Sequence, residues 1–193
     1  MAEGYFSGTP NTEWVPAGDK ADRKMRLLAD FSFTDPSGNV WLVPAGYVID
    51  GATIPRPLWS LVGSPYVGDY RRASVVHDKA RADADDAAAR RAADRMFYHA
   101  CRAGGCSITQ ATLLYIAVRT GSWLRLVPGW RGISSSDDGP LLARSAVDER
   151  LEADFRLAAE QVVARGESDD PLEIEACTDE CMSRVTGINL KGK

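Results

Sequence analysis

One histidine and two aspartates carry the clearest chemical signal in the sequence. His77, one of two histidines in the chain, is followed directly by Asp78, and Asp94 lies in a later run rich in Ala, Arg and Asp. A buried carboxylate can make a histidine a general base, because it orients the imidazole and stabilises the protonated form. The same pair can also be a purely structural hydrogen bond, since buried polar groups are usually paired. Both interpretations require His77 and Asp94 to meet in the fold.

The sequence predicts two antiparallel helices that bring these side chains together. The helices span about 72–82 and 85–103 and are joined by a tight, aspartate-rich turn. The midpoint between His77 and Asp94 falls inside that turn, so at about 1.5 Å rise per residue their heights differ by about one turn or less. Asp78 points about 100° away from His77 on the same helix and must serve a different partner.

An antiparallel β-hairpin is predicted before these helices. In residues 24–34, apolar positions are interspersed with polar ones, the Asp-Pro-Ser-Gly-Asn sequence at 35–39 is typical of a turn, and the apolar run 40–43 is the return strand. Three further helices are predicted at about 108–119, 141–165 and 171–185. The predicted fold class is therefore α+β, with a small N-terminal antiparallel sheet or hairpin packed on the helix pair, and additional C-terminal helices.

Two loops next to the helix pair contain further candidate site residues. Residues 47–59 include two prolines and a glycine, which exclude a regular helix or a central strand. Packed loops with polar residues are frequent sites, and the candidates here are Asp50, Gly51, Thr53 and Arg56. The same loop also fits a structural corner in which Asp50 caps a turn. A second loop, bounded by Gly63 and Gly68, leads into the helix that carries His77.

The charge distribution divides the chain into two regions. The net charge is −4, but residues 1–133 contain 16 Lys/Arg and 13 Asp/Glu, whereas residues 134–193 contain 7 and 14. A Ser/Asp/Gly/Pro-rich stretch lies at the boundary. We therefore predict an α+β core domain over 1–133 and an acidic helical C-terminal extension over 134–193, which is suited to binding another subunit. Nothing in this balance indicates nucleic-acid binding.

Secretion and membrane insertion are not predicted. The N-terminus has neither a basic nor an apolar leader region, and the longest apolar run, 113–118, is far too short to span a bilayer. The four cysteines are therefore expected to be reduced cytosolic thiols. A zinc site at His99, Cys101 and Cys106 is disfavoured, because His99 and Cys101 lie about 200° apart on a helix. The other two cysteines, Cys177 and Cys181, lie one helical turn apart.

A long motif begins with Val-Pro-Ala-Gly at 43–46 and continues with Asp-Gly-Ala-Thr-Ile-Pro-Arg-Pro-Leu-Trp at 50–59. It then includes His77-Asp78, Ala93-Asp94 and Gly104. Together these residues resemble a family of proteins of unknown function that is common in tailed phages and prophages. The resemblance covers roughly 24–123. It implies a phage or prophage protein in the cytoplasm of the host bacterium or in the virion, and it assigns no activity.

The segment 71–78, with Asp94 on the antiparallel helix, is also similar to the paired catalytic helices of phospholipase A2. That resemblance implies a calcium-dependent hydrolase of lipid esters in which His77 is the base and Asp94 orients it. Asp78 would bind Ca²⁺, and carbonyl groups of the Gly63–Gly68 loop would complete the shell of the ion. The chain departs from that family where Arg81 replaces a usual tyrosine and where Ala73 and Ser74 replace cysteines. The loop also has few glycines.

Three functions from different classes stay open. The first is the calcium-dependent hydrolase, and the second is a non-catalytic phage structural or assembly protein whose acidic helices bind another subunit. The third is a different hydrolase that uses His77, Asp78 and Asp50 around another metal. Calcium affinity distinguishes the first from the second, and a bound transition metal would indicate the third.

Overall fold

The N-terminal part of the chain forms two small antiparallel sheets. The computed structural model describes residues 4–16, 24–49, 54, 58–63, 68–124 and 141–187. One sheet has the order β1-β4-β5 and the other the order β2-β3-β6. The strands are β1 (Tyr5–Phe6), β2 (Thr12–Val15), β3 (Lys24–Leu27), β4 (Phe31–Thr34), β5 (Val40–Val43) and β6 (Val48–Ile49). The predicted α+β class is confirmed.

The predicted strand 24–34 is two strands in different sheets, so the prediction of one continuous strand is wrong. The chain leaves β3 at Leu28, whose side chain is exposed and whose backbone N–H donates to the carbonyl of Asn11. Asp30 then accepts a hydrogen bond from the backbone of Ala45. The predicted hairpin is confirmed for β4 and β5 alone, which pair Phe31 with Val43.

The helix pair forms where it was predicted. Helix α2 (Arg71–Asp83) is followed by α3 (Ala87–Gly104), and the side chain of Asp86 caps α3 by accepting from the backbone N–H of Ala89 at 2.7 Å. A short helix that the sequence analysis missed, α1 (Trp59–Val62), precedes them. The remaining helices are α4 (Ile108–Leu124), α5 (Leu141–Ala164) and α6 (Pro171–Thr186). Helix α4 extends to Leu124 and not only to about residue 119 as predicted, because its buried face continues through Thr120 and tertiary packing overrides the weak helix propensity of Gly121.

One hydrophobic cluster connects the strands to the C-terminal helices. It includes Phe33 of β4, Phe97 of α3 and Tyr115 of α4, and it continues into Leu151 of α5 and Cys181 of α6. The described tail helices therefore share the core of the residues before them. The division of the chain at residue 133 stays a prediction, which a truncation described below can decide. None of the helices within the described ranges is both long and apolar enough to cross a membrane.

Candidate functional site

The packing of α2 against α3 brings His77 and Asp94 into direct contact. Nε2 of His77 lies 2.9 Å from Oδ1 of Asp94, and both side chains are 0% exposed. Phe97, one turn beyond Asp94 on α3, stacks on the imidazole with ring centroids 4.6 Å apart. Positions three apart on a helix share a face, so α3 presents the carboxylate and the aromatic ring to His77 together. The predicted contact between the two helices is confirmed by this geometry.

The hydrogen bond to Asp94 decides which imidazole nitrogen carries the proton. An ionised carboxylate only accepts hydrogen bonds, so Nε2 of the neutral ring is the donor and Nδ1 carries the lone pair. No described residue donates a hydrogen bond to Nδ1, which is itself buried. Burial lowers the pKa of His77, the hydrogen bond and charge of Asp94 oppose this effect, and Arg81 adds to the lowering. The ring is therefore neutral at pH 7.

Two arginines share the charge of Asp94 with His77. Nη1 of Arg81, one turn after His77 on α2, lies 3.8 Å from Oδ1 of Asp94, and Nη1 of Arg119 on α4 lies 3.6 Å from Oδ2. Burial raises the pKa of Asp94, but the hydrogen bond from His77 and the positive charges of Arg81 and Arg119 more than offset this effect and hold the pKa of Asp94 below its ordinary value. Asp94 is a buried carboxylate surrounded by three partners on two other helices.

The charged contacts continue from Asp94 to the C-terminal helix α6. Nη2 of Arg119 lies 2.5 Å from Oδ1 of Asp179, and Nη1 of Arg91 contacts the other oxygen of Asp179 at 2.5 Å. Arg91 also pairs with Glu175 at 2.8 Å, and Arg95 pairs with the same glutamate at 2.7 Å. The network thus links α2, α3, α4 and α6 through largely buried groups.

Sequence reasoning missed this network. Its signal was present in the spacing: Arg91 and Arg95 lie one turn apart on α3, and Glu175 and Asp179 lie one turn apart on α6. Residues four apart project from the same face of a helix. The two arginines of α3 and the two carboxylates of α6 can therefore face each other across the contact between these helices. The sequence analysis treated the acidic residues of α6 as a surface for a partner, whereas in the structure Glu175 and Asp179 contact arginines of the same chain.

Of the proposed calcium ligands, Asp78, Gly63 and Gly68 are within the described residues, whereas residues 64–67 of the loop are not. Asp78 is buried on α2 beside His77. Gly63 and Gly68 both have positive φ angles and lie against the ring of Tyr70. A Cβ at Gly63 would lie 2.1 Å from the Tyr70 hydroxyl, which donates to the carbonyl of Val62, so this close approach explains the glycine.

The other candidate site residues, on the loop at 47–59, are Asp50, Gly51, Thr53 and Arg56. All four lie outside the described residues. Within the described part of the chain, no three His, Cys, Asp or Glu side chains are grouped so that they could hold a metal ion. A cavity of about 420 Å³ lies near the helix pair, between β5, α2 and α3, and His77 is not among the residues that line it.

Comparison with known proteins matches the part of the chain that builds this site. Residues 25–118 match the model of a family described as a protein of unknown function, DUF1353. The match runs from β3 into α4 and includes His77, Asp78 and Asp94, but it ends one residue before Arg119 and leaves α5 and α6 outside.

Two curated relatives have no described function. The uncharacterized protein y4jT of Sinorhizobium fredii (strain NBRC 101917 / NGR234) is 40% identical over 122 residues, which cover 61% of this chain and 34% of the relative. The uncharacterized protein y4iH of the same strain is 37% identical over 128 residues, which cover 64% of this chain and 51% of the relative. The chain thus spans about a third and about half of the lengths of these relatives. No solved structure matches the chain.

Proposed function

We propose that this chain is a non-catalytic assembly protein of a phage or prophage, and that it binds another protein subunit. The observation that carries the proposal is the complete burial of His77 and Asp94. A general base has to reach a water molecule or a substrate proton within hydrogen-bond distance. Here Phe97 covers one face of the imidazole, and Arg81 and Arg119 share the charge of its partner carboxylate.

In this proposal the dyad has an architectural role. Asp94 connects α2 to α3 through His77, and it connects α3 to α4 through Arg119. Arg119 in turn reaches Asp179 of α6. A buried network of this kind disfavours other helix arrangements, because any of them would leave a buried charge without a partner. The phage or prophage setting, in the cytoplasm of the host or in the virion, rests on the resemblance of the sequence motif.

The surface that we propose for the partner is the outer face of α5. The carboxylates of Glu175 and Asp179 on α6 are held by arginines of the same chain. On α5, by contrast, Leu157, Glu160 and Val163 are exposed. A face that combines exposed apolar side chains with acidic ones is suited to a complementary protein surface.

Particle composition tests this proposal directly. In a lysogen that carries the gene, quantitative mass spectrometry of purified particles should detect the wild-type chain at a constant ratio to the particle proteins. Leu157→Lys should lower that ratio at least tenfold, because a charge replaces an apolar contact. The matched control is Leu172→Lys, an exposed leucine on α6, which should leave the ratio unchanged. Absence of the wild-type chain from particles and from assembly intermediates would overturn the proposal.

A second candidate, the calcium-dependent hydrolase of lipid esters, is favoured by one observation. A structural histidine normally has both ring nitrogens paired, yet Nδ1 of His77 has no partner among the described residues. In the hydrolase, Nδ1 would take a proton from water while the hydroxide attacks the ester carbonyl, and Asp94 would stabilise the imidazolium. The C–O bond to the alcohol would then break, and the imidazolium would return its proton to the departing alkoxide. Asp78 and the carbonyls of Gly63 and Gly68 would hold the calcium ion.

Ester hydrolysis and calcium binding separate the two candidates. For the assembly protein we expect no release of fatty acid from mixed phospholipid vesicles with or without Ca²⁺, and no heat of Ca²⁺ binding by calorimetry. His77→Ala should lower the melting temperature, while His99→Gln serves as the matched histidine control. Calcium-dependent hydrolysis that His77→Gln and Asp78→Asn abolish without a change in melting temperature would replace the assembly role with the hydrolase.

A further inference from the structure

The turn between α3 and α4 brings two cysteines together. Gly105 has a φ of 111°, and its backbone N–H donates to the carbonyl of Arg102 at 3.0 Å. The backbone N–H of Cys106 donates to the carbonyl of Cys101 at 3.1 Å. These two hydrogen bonds form a Schellman motif, and a contact between the side chains at the positions of Cys101 and Cys106 commonly accompanies it. The backbone of this turn thus holds the two side chains next to each other.

The two sulfur atoms are in direct contact. The thiol of Cys101 donates a hydrogen bond to the sulfur of Cys106, and both cysteines are free thiols. A direct backbone hydrogen bond between the two residues is compatible with the separation of α-carbons that a disulfide requires, about 4.4–6.8 Å. A disulfide would therefore join the two ends of one turn and leave the surrounding helices in place.

The surroundings make the two thiols chemically different. The hydrogen bond from Cys101 is the main cause that lowers the pKa of Cys106; burial and Asp69 oppose this effect, and the charge of Arg102 adds to the lowering. Burial, followed by the hydrogen bond to Cys106, raises the pKa of Cys101. Because the thiolate is the reactive form of cysteine, Cys106 is the thiol that reacts first, with Cys101 protonated beside it.

Cys106 lies just below the surface. Its side chain is 1% exposed, but its neighbours Gly105 and Ser107 are both exposed. Helix ends and turns open locally at a lower free energy than helix centres. A small oxidant can therefore reach the sulfur of Cys106 through an opening of this turn, whereas Cys101, which is 0% exposed on α3, is reached only through Cys106.

We propose that Cys106 and Cys101 form a peroxide-reactive dithiol, a modification site that is separate from the assembly role. The thiolate of Cys106 attacks one oxygen of hydrogen peroxide, so that an S–O bond forms and the O–O bond breaks. The departing hydroxide takes up the proton that the Cys106 thiol has lost and leaves as water. Cys106 is then a sulfenic acid.

Cys101 completes the reaction. Its sulfur attacks the sulfur of the sulfenic acid, the S–S bond forms, and the S–O bond breaks. The proton of the Cys101 thiol leaves with the hydroxide as a second water. Two thiols and one hydrogen peroxide thus give one disulfide and two water molecules. A low-molecular-weight thiol restores the dithiol by exchange, and two such thiols leave as their own disulfide.

Peptide mapping of the full-length wild type tests the proposal without a substitution. Trypsin cleaves after Arg102 and so separates Cys101, in the peptide 96–102, from Cys106, in the peptide 103–119. Cys177 and Cys181 stay together in the peptide 166–184. After one equivalent of hydrogen peroxide and alkylation of the remaining thiols, the first oxidised product should be 96–102 linked to 103–119. A thiol reductant should reverse the link. In the urea-unfolded chain the same link should form about tenfold more slowly, because the turn no longer orients the thiols.

Two variants test the order of the steps. In Cys101→Ala, the sulfenic acid at Cys106 should accumulate, be trapped by dimedone, and otherwise proceed to sulfinic acid. In Cys106→Ala, Cys101 should stay unmodified. The matched control is Cys177→Ala, a free thiol on α6 outside the turn, which should form the link at the wild-type rate.

Three results would overturn the proposal, and all of them can be obtained on the wild type. The first is a link that forms faster in the unfolded chain than in the folded one, which would show that burial protects the pair. The second is oxidation of Cys177 or Cys181 while Cys101 and Cys106 remain thiols. The third is sulfinic acid at Cys106 without a linked peptide, which would show that Cys101 does not reach it.

Discussion

At the scale of single residues, Asp94 is the side chain on which the site depends. It lies within 3.8 Å of His77, Arg81 and Arg119, and it is 0% exposed. Each partner comes from a helix other than the one that carries Asp94. Loss of its charge would leave buried cations opposite a neutral group, and that is costly in a region from which water is excluded.

Asp94→Asn should therefore lower the free energy of unfolding by about 3 kcal/mol. The reason is that the amide keeps the shape of the side chain but no longer balances the charge of Arg119. Urea denaturation followed by circular dichroism measures the change. The control is Asp83→Asn, an exposed partner of Lys79, which should change stability by less than about 0.5 kcal/mol. Equal stability of the wild type and Asp94→Asn would contradict the electrostatic account.

The lowered pKa of His77 predicts a pH dependence of stability. In the unfolded chain His77 binds a proton near its ordinary pKa of 6.5, whereas the folded state resists protonation. The stabilisation is therefore fully present above about pH 6.5 and is lost as the pH falls toward the lower folded pKa, by at most about 1.4 kcal/mol per pH unit. The pKa of His99 is also lowered by burial. The pH dependence is therefore measured in the His99→Gln variant, in which His77 is the one remaining histidine.

Urea denaturation of His99→Gln between pH 5 and 7.5 should show this loss, and the double variant His77→Gln/His99→Gln should be nearly flat over the same range. Side-chain NMR of His77 in the folded protein gives an independent measurement. An imidazole that titrates at or above its ordinary pKa would show that Asp94 outweighs burial.

At the scale of elements, the C-terminal end of α3 is fixed by one close approach. Gly104 is the last residue of α3, and a Cβ at this position would lie 2.3 Å from the backbone carbonyl oxygen of Asp69, just before α2 begins. Glycine therefore permits contact between two backbones. This contact and the hydrogen bond between His77 and Asp94 connect α2 and α3 at different heights.

Gly104→Ala should lower the free energy of unfolding by about 1–3 kcal/mol, because the methyl group has no space and the helix end must shift. Helix propensity alone predicts the opposite sign, a gain of about 1 kcal/mol, so the sign of the change identifies the cause. The comparison is Ala103→Gly in the same turn, which propensity predicts to destabilise by about 1 kcal/mol. A higher melting temperature for Gly104→Ala would exclude the clash.

At the scale of the whole molecule, the C-terminal helices share the core of the region before them. Leu151 and Phe155 of α5 and Ile174 of α6 are buried in the same cluster as Phe97. The arginines of α3 and α4 find their carboxylate partners on α6. Removing the tail would expose this apolar surface and leave Arg119 with Asp94 alone.

Truncation after residue 133 decides between two outcomes. The charge division in the sequence predicts that residues 1–133 fold alone, whereas the shared core leads us to expect a shortened chain that aggregates or lacks a cooperative thermal transition. Near-UV circular dichroism and calorimetry of the truncated chain distinguish these results. A sharp transition with native near-UV signal would support the division at residue 133 and would show that the contacts of α6 are dispensable.

The sequence by itself determined the helix pair and the meeting of His77 with Asp94. Both follow from local information, namely helix periodicity, the aspartate-rich turn and the equal distances of the two residues from it. It also determined the hairpin of β4 and β5, because turn chemistry at 35–39 is encoded in five adjacent residues. The break of 24–34 into two strands was not predictable in this way, since it depends on contacts with Asn11 and Ala45.

Only the tertiary structure decided what surrounds the dyad. Arg119 and Asp179 lie 25 and 85 residues from Asp94 in the sequence, and no local pattern specifies which distant charges a buried carboxylate will meet. The burial of His77 was likewise decided by packing, because a periodic pattern shows which face of a helix turns inward but not how completely the neighbouring helices cover it. Side-chain identity thus set the chemistry available to the dyad, and the packing of α3, α4 and α6 around it set its environment.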